Sequence, residues 1–133
     1  MVEVVLGALV RDGQVLLGHR SPDKHAYPDI WDLPGGVIEA GESELDALAR
    51  ELQEELGVEI SAESARHLCR VTAGTSAEPV LLSAWLVTEW CGTPTNVAPD
   101  EHVAIGWVDV DELPALAHAQ VRTSLLSAVG SGG

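Results

Sequence analysis

Residues 35–58, GGVIEAGESELDALARELQEELGV, decide how this chain is read. They gather seven carboxylates, Glu39, Glu42, Glu44, Asp46, Glu51, Glu54 and Glu55, around a single cation, Arg50. Like charges three or four residues apart destabilise a helix by about 0.2–0.5 kcal/mol per pair. A helix is nevertheless well signalled. Ser43 is a good N-cap with Asp46 three residues on, and Gly57 is a natural stop. Leu45, Leu48, Ala49, Leu52 and Leu56 form the expected apolar stripe. At about 100° per residue, Glu51, Glu54 and Glu55 fall within an arc of about 100° beside that stripe. A solvated acidic face is the ordinary explanation of such a pattern. A bound cation is the other: Mg²⁺ takes hard oxygen ligands, usually one or two carboxylates together with substrate phosphates.

Working outward, the whole chain of 133 residues is 46% apolar, a globular composition of a size suited to one domain, expected over residues 1–129. Residues 130–133, GSGG, are expected as a flexible tail. The formal charge of −14 opposes nucleic acid or an anionic membrane as partners, since both need basic patches. The opening run MVEVVLGALV lacks a basic leader region and is too short to span a bilayer, so it is expected as a buried strand of a cytoplasmic protein. Cys69 and Cys91 have no metal-ligand spacing and are expected as reduced thiols.

Residues 2–10 read as a β-branched apolar strand, Asp12-Gly13 as a turn, and VLLGHR as the return strand of a hairpin. SPDKHAYPDI, residues 21–30, is a long exposed loop of the kind that usually carries function. WDLPGGVIEAGE leads into the acidic helix with at most a short strand. Further strands are expected at residues 66–73, 80–90 and 103–110, and a terminal helix at 115–129 packing through Leu116, Ala119, Leu125 and Leu126. Mixed strands with one central and one terminal helix make an α/β sandwich.

The acidic stretch resembles the Nudix box, GX5EX7REUXEEXGU, with U a bulky aliphatic residue. Gly36 opens it, Glu42 follows after five residues, Arg50-Glu51-Leu52 after seven more, then Glu54-Glu55 and Gly57-Val58. Every fixed position matches, and the flanking WDLPGG and WVDVDELP are similar to the same family. The resemblance implies an α/β/α sandwich with a mixed sheet, in which this loop–helix–loop is the catalytic platform. It implies hydrolysis of a nucleoside diphosphate linked to another group, with Mg²⁺, or Mn²⁺ in its place, as cofactor. By position, Glu51, Glu54 and Glu55 would be metal ligands, assisted by the Gly35 or Gly36 carbonyl. Arg50 would orient a box glutamate, and Glu42 would secure the loop or a second metal.

Outside the box, the loop before the last expected strand offers Asp100 and Glu101, and Glu101 is expected as the further catalytic acid. Arg20, at the end of the second strand, is expected at substrate phosphate, with Lys24 and His25 on the following loop as further contacts. Trp31, Trp85, Trp90 and Trp107 are expected to pack rather than cage a base, and His67, His102 and His118 are isolated in the sequence. The leading expectation is a nucleoside or modified nucleoside triphosphate cleaved to NMP and pyrophosphate, as in the MutT-like branch. Base choice would rest with residues 21–30 and 72–79. ADP-ribose or a dinucleoside polyphosphate is the alternative substrate, and a non-catalytic nucleotide sensor the alternative class. The protein is expected as a monomer or homodimer.

Overall fold

The computed structural model describes residues 1–130. In chain order its elements are β1 (Val2–Arg11), β2 (Gln14–Arg20), β3 (Trp31–Asp32), β4 (Gly35–Val37), α1 (Glu44–Leu56), β5 (Glu59–Ile60), β6 (Arg66–Gly74), β7 (Pro79–Val87), β8 (Trp90–Cys91), β9 (His102–Asp109) and α2 (Ala119–Gly130). Short 3₁₀ turns lie at Ala62–Ser64 and Val110–Glu112.

Asp12 (φ 54°) and Gly13 (φ 75°) both take positive φ, the geometry of a type I′ hairpin turn. The hairpin is brief. Only Val10↔Val15 and Arg11↔Gln14 pair across it before the two strands part. β1 then runs parallel to β7, from Val2↔Val80 to Leu9↔Val87, and antiparallel to β4. β2 instead pairs antiparallel with β3 and β9. β6 pairs antiparallel with β7 at the far side of the mixed sheet. The split between β1 and β2 was not visible in the sequence, where both strands read as ordinary hairpin arms.

Alternation along β1 and β2 feeds two cores, one on each face of the sheet. Val5, Leu9 and Leu16 pack with Leu48, Leu52 and Leu56 of α1. Leu6, Ala8, Val15 and Leu17 pack on the opposite face with Val121 and Leu125 of α2. Burial on both faces explains why these strands are continuous apolar runs rather than alternating ones. The result is the expected α/β/α sandwich with a mixed sheet.

Both ends of α1 form as their residues dictate. Ser43 Oγ accepts the Asp46 amide at 3.1 Å, and Gly57 stands at φ 72° with its N–H on the Gln53 carbonyl at 3.0 Å. The buried face is slightly rotated from expectation: Ala47, not Ala49, is in the core, and Glu55 is buried with it. α2 begins at Ala119 rather than 115. The preceding segment is irregular and tied down by Arg122, whose Nε and Nη2 donate to the Pro114 and Leu113 carbonyls at 3.0 and 2.7 Å. Leu116 is therefore buried ahead of the helix, and Val121 takes the core position expected of the exposed Ala119. α2 reaches Gly130, one residue into the expected tail, and residues 131–133 lie outside the described residues.

The strand expected over residues 80–90 ends at Val87, and Trp90 lies in β8, paired with β5. Trp90 belongs to the α1-side core, whereas Trp107 is exposed and stacks on it at 6.0 Å. Cys69 and Cys91 are free thiols. Among the described residues no helix is long and apolar enough to cross a membrane.

Candidate active site

Where β1 and β2 part, residues from both sides line a cleft of about 860 Å³. β4 and α1 form one end. Lys24, Ala26, Tyr27 and loop residues 97–101 form its flanks, and Ala73, Gly74 and Val80 of the β6–β7 hairpin close part of the rim.

At the α1 end, Arg50 organises the carboxylates. Its Nε and Nη2 grip Glu42 in a two-point pair at 2.8 and 2.9 Å, and Nη2 also donates to the Val37 carbonyl at 3.1 Å. Nη1 reaches Glu51 at 3.0 Å and Glu54 at 3.4 Å. This clamp, chiefly through its hydrogen bonds, lowers the Glu42 pKa to about 2 and raises that of Arg50. Glu42 is thereby turned to Arg50 and does not line the cleft, whereas Glu51, Glu54 and Glu55 do.

Glu51 lies against the Gly36 backbone: a Cβ at Gly36 would stand 2.4 Å from its carboxyl carbon. A glycine is required there because a carboxylate fills the space of a side chain. Glu55 is only 3% exposed, and its Oε2 has no hydrogen-bond partner. Burial first, then Glu51 and Glu101, push the Glu55 pKa up to about 9, against the pull of the Gly35 amide. His102 Nδ1 approaches Glu55 Oε1 at 3.5 Å. Burial drives the imidazole pKa down as it drives the carboxyl up, so this contact joins two groups tending to neutrality rather than an ion pair.

Glu54 is 59% exposed in its side chain and faces the open cleft. The expected ligand set is thus only partly assembled: Glu51 and Glu55 adjoin, Glu54 stands at the rim, and Glu42 is held away. Among the described residues no three His, Cys, Asp or Glu side chains converge into a ready cage. The donors that are present are hard oxygens, and a buried carboxylate oxygen without a partner is the kind of group a divalent cation satisfies. The residues fit such an ion as an open site.

On the flanks, Glu101 lines the cleft and is ion-paired to Lys24. Arg20 also lines it, but its Nε and Nη2 donate to the Tyr27 and Ala26 carbonyls at 2.9 and 2.8 Å. His25, expected at substrate, is exposed and is not among the cleft residues; its neighbours Lys24, Ala26 and Tyr27 are. Two residues escaped the sequence reading. His102 looked isolated until β9 brought it beside Glu55. Asp32, buried at 5% exposure with Oδ1 unpartnered, passed as one letter of WDLPGG.

The NUDIX domain model matches residues 1–128. The chain belongs to the Nudix hydrolases. It is 34% identical over 128 residues to the CTP pyrophosphohydrolase of Escherichia coli, covering 96% of this chain and 90% of that protein. It is 52% identical over 59 residues to the putative 8-oxo-dGTP diphosphatase 2 of Mycobacterium tuberculosis, covering 44% and 40% of the two chains. Among solved structures, the MutT NUDIX hydrolase of Burkholderia pseudomallei superposes with a TM-score of 0.82 at 35% identity, covering 93% of this chain and 95% of that one. As a Nudix hydrolase the protein cleaves pyrophosphate bonds in nucleoside triphosphates or diphosphate derivatives.

Proposed function

We propose that this Nudix hydrolase cleaves a nucleoside triphosphate to NMP and pyrophosphate, with Mg²⁺, or Mn²⁺ in its place, as cofactor. The observation that carries the reading is that Glu51, Glu54 and the buried Glu55, whose Oε2 lacks a hydrogen-bond partner, line one nucleotide-sized cleft. The full-length likeness to a CTP pyrophosphohydrolase supports the triphosphate. Glu51, Glu54 and Glu55 would hold the cation, assisted by the Gly35 carbonyl. Bound there, it would offset the negative charge of the phosphate oxygens.

The chain's own residues do the positioning. Arg50 fixes Glu51 by a hydrogen bond and ties the platform to Glu42 and to the β4 carbonyl of Val37. Glu101, on the opposite flank, is placed to accept a proton from an attacking water once Lys24 releases it. Arg20 supplies positive charge beside the cleft while bracing the loop at Ala26 and Tyr27.

The test is a panel of NTPs, dNTPs, 8-oxo-dGTP, ADP-ribose and a dinucleoside tetraphosphate with Mg²⁺, with the products separated. Pyrophosphate and NMP from a triphosphate support the proposal. AMP from ADP-ribose or the dinucleotide, with triphosphates untouched, refutes it. Glu54→Gln should abolish turnover with the fold retained, and unchanged activity would remove Glu54 from the site.

A further inference from the structure

The cleft is also lined by a buried carboxylate and an aromatic residue that the hydrolytic carboxylates do not use. Asp32 lies at 5% exposure with Oδ1 unpartnered, and the apolar Leu6, Leu33 and Leu82 line the same cleft. A buried carboxylate oxygen without a donor is costly to leave so, and a ligand that brings a donor relieves the cost. Burial raises the Asp32 pKa, while the Leu33 amide, His118, Arg20 and the Ala117 amide favour the charged, accepting form.

Tyr27 faces the same space. The residue is 44% exposed, its ring meets His118 edge-on at 4.9 Å, and its backbone stands at φ 48°, a conformation that non-glycine residues seldom adopt. Two hydrogen bonds from Arg20 to the Ala26 and Tyr27 carbonyls hold that conformation. Strain maintained by dedicated partners, at a partly exposed aromatic residue lining a cleft, suits a flat ligand.

We propose that Tyr27 and Asp32 form the nucleobase end of the cleft, Tyr27 stacking on the base and Asp32 Oδ1 accepting a hydrogen bond from an exocyclic amino group. The inference deepens the triphosphate reading and rests on it for the placement of phosphates at the α1 end. Bases with an amino group, of the cytosine or adenine kind, are preferred to their keto counterparts. A uracil or hypoxanthine carbonyl at that point would set oxygen against oxygen and leave Asp32 unsatisfied.

Binding of CMP against UMP, and of AMP against IMP, is measured by calorimetry on the wild type, Asp32→Asn and Tyr27→Ala. Steady-state hydrolysis of the matching triphosphates runs in parallel. The wild type should favour the amino member of the pair that fits by about 10- to 100-fold, the worth of one hydrogen bond to a charged group. Asp32→Asn, an isosteric change whose folding is checked by thermal melting, should bring that ratio close to one. Tyr27→Ala, at an exposed position, should weaken both members by roughly tenfold and leave their ratio intact. A wild type with no amino preference in either pair overturns the inference, and so does a preference that survives in Asp32→Asn. Failure of the hydrolytic reading looks different. Amino-selective binding without triphosphate turnover sinks the proposed reaction and leaves the base subsite standing.

Discussion

Gly36→Ala isolates the close packing between backbone and carboxylate at the catalytic end. The new Cβ would stand 2.4 Å from the Glu51 carboxyl carbon and 2.6 Å from each of its oxygens. Ordinary contact begins near 3.4 Å, so the carboxylate must withdraw by about 1 Å. Glu51 can do so by rotating its side chain away from Arg50, at about 0.5–1.5 kcal/mol for a displaced rotamer. A 1 Å misplacement of a catalytic group costs on the order of 100-fold in rate. Activity should therefore collapse, with a stability loss no larger than that rotamer cost. The assay is kcat/KM for the preferred triphosphate beside a thermal melt. Gly41→Ala is the control that costs stability but spares activity. Gly41 has nothing within 4 Å of its virtual Cβ but sits at φ 84°. An alanine there should cost about 1–2 kcal/mol of stability and leave kcat unchanged. If Gly36→Ala keeps kcat/KM within about twofold of wild type, the placement of Glu51 does not govern the reaction and the reasoning fails.

Arg50→Lys should lower activity by about 10- to 100-fold with the fold retained, because an ammonium cannot grip Glu42 at two points while also reaching Glu51. Wild-type activity in that variant would deny Arg50 its orienting role. Leu52→Ala, at a fully buried position on α1, should cost about 2–5 kcal/mol, read by urea denaturation. Glu55 predicts a pH dependence of the metal-free protein. Its folded pKa, near 9, exceeds the ordinary carboxyl value of 4.5, so the fold favours its protonated form. That contribution is complete below pH 4.5 and is lost as pH rises through 9. The metal-free melting temperature should fall between pH 5 and 9, and Glu55→Gln should flatten the fall; an equally steep slope in the variant would refute the assignment.

What could be read from the sequence was what local chemistry controls. Ser43 and Gly57 bound α1 because capping depends on residues within one turn of each end. Asp12-Gly13 predicted its turn for the same reason. The Glu51, Glu54 and Glu55 edge was visible from helical spacing alone. What could not be read depended on distant partners. The hairpin splits because β1 finds β4 and β7, which periodicity does not register. Ala49 and Ala47 are equally apolar on a helical wheel, and only the sheet beneath α1 chooses between them. Residues 115–118 have a helical composition, yet Arg122 holds the carbonyls just before them and the segment stays irregular. Asp32 and His102 acquire meaning only when β3 and β9 align beside β2, bringing one to the cleft and the other under Glu55.

β1 also carries a consequence for the order of assembly. Its parallel register ties Val2 to Val80, so the central strand of the sheet waits for a partner synthesised about eighty residues later. Until β7 emerges, β1 can hold only the tip of its hairpin and the three-residue ladder to β4. The acidic helix can form early from its own caps, but the surface it must cover is incomplete. Pairings so remote along the chain slow folding, since loop closure precedes any gain from contact. On the ribosome the catalytic platform would therefore exist as a helix well before it exists as a site, and the slow step would be the arrival of β7 beside β1.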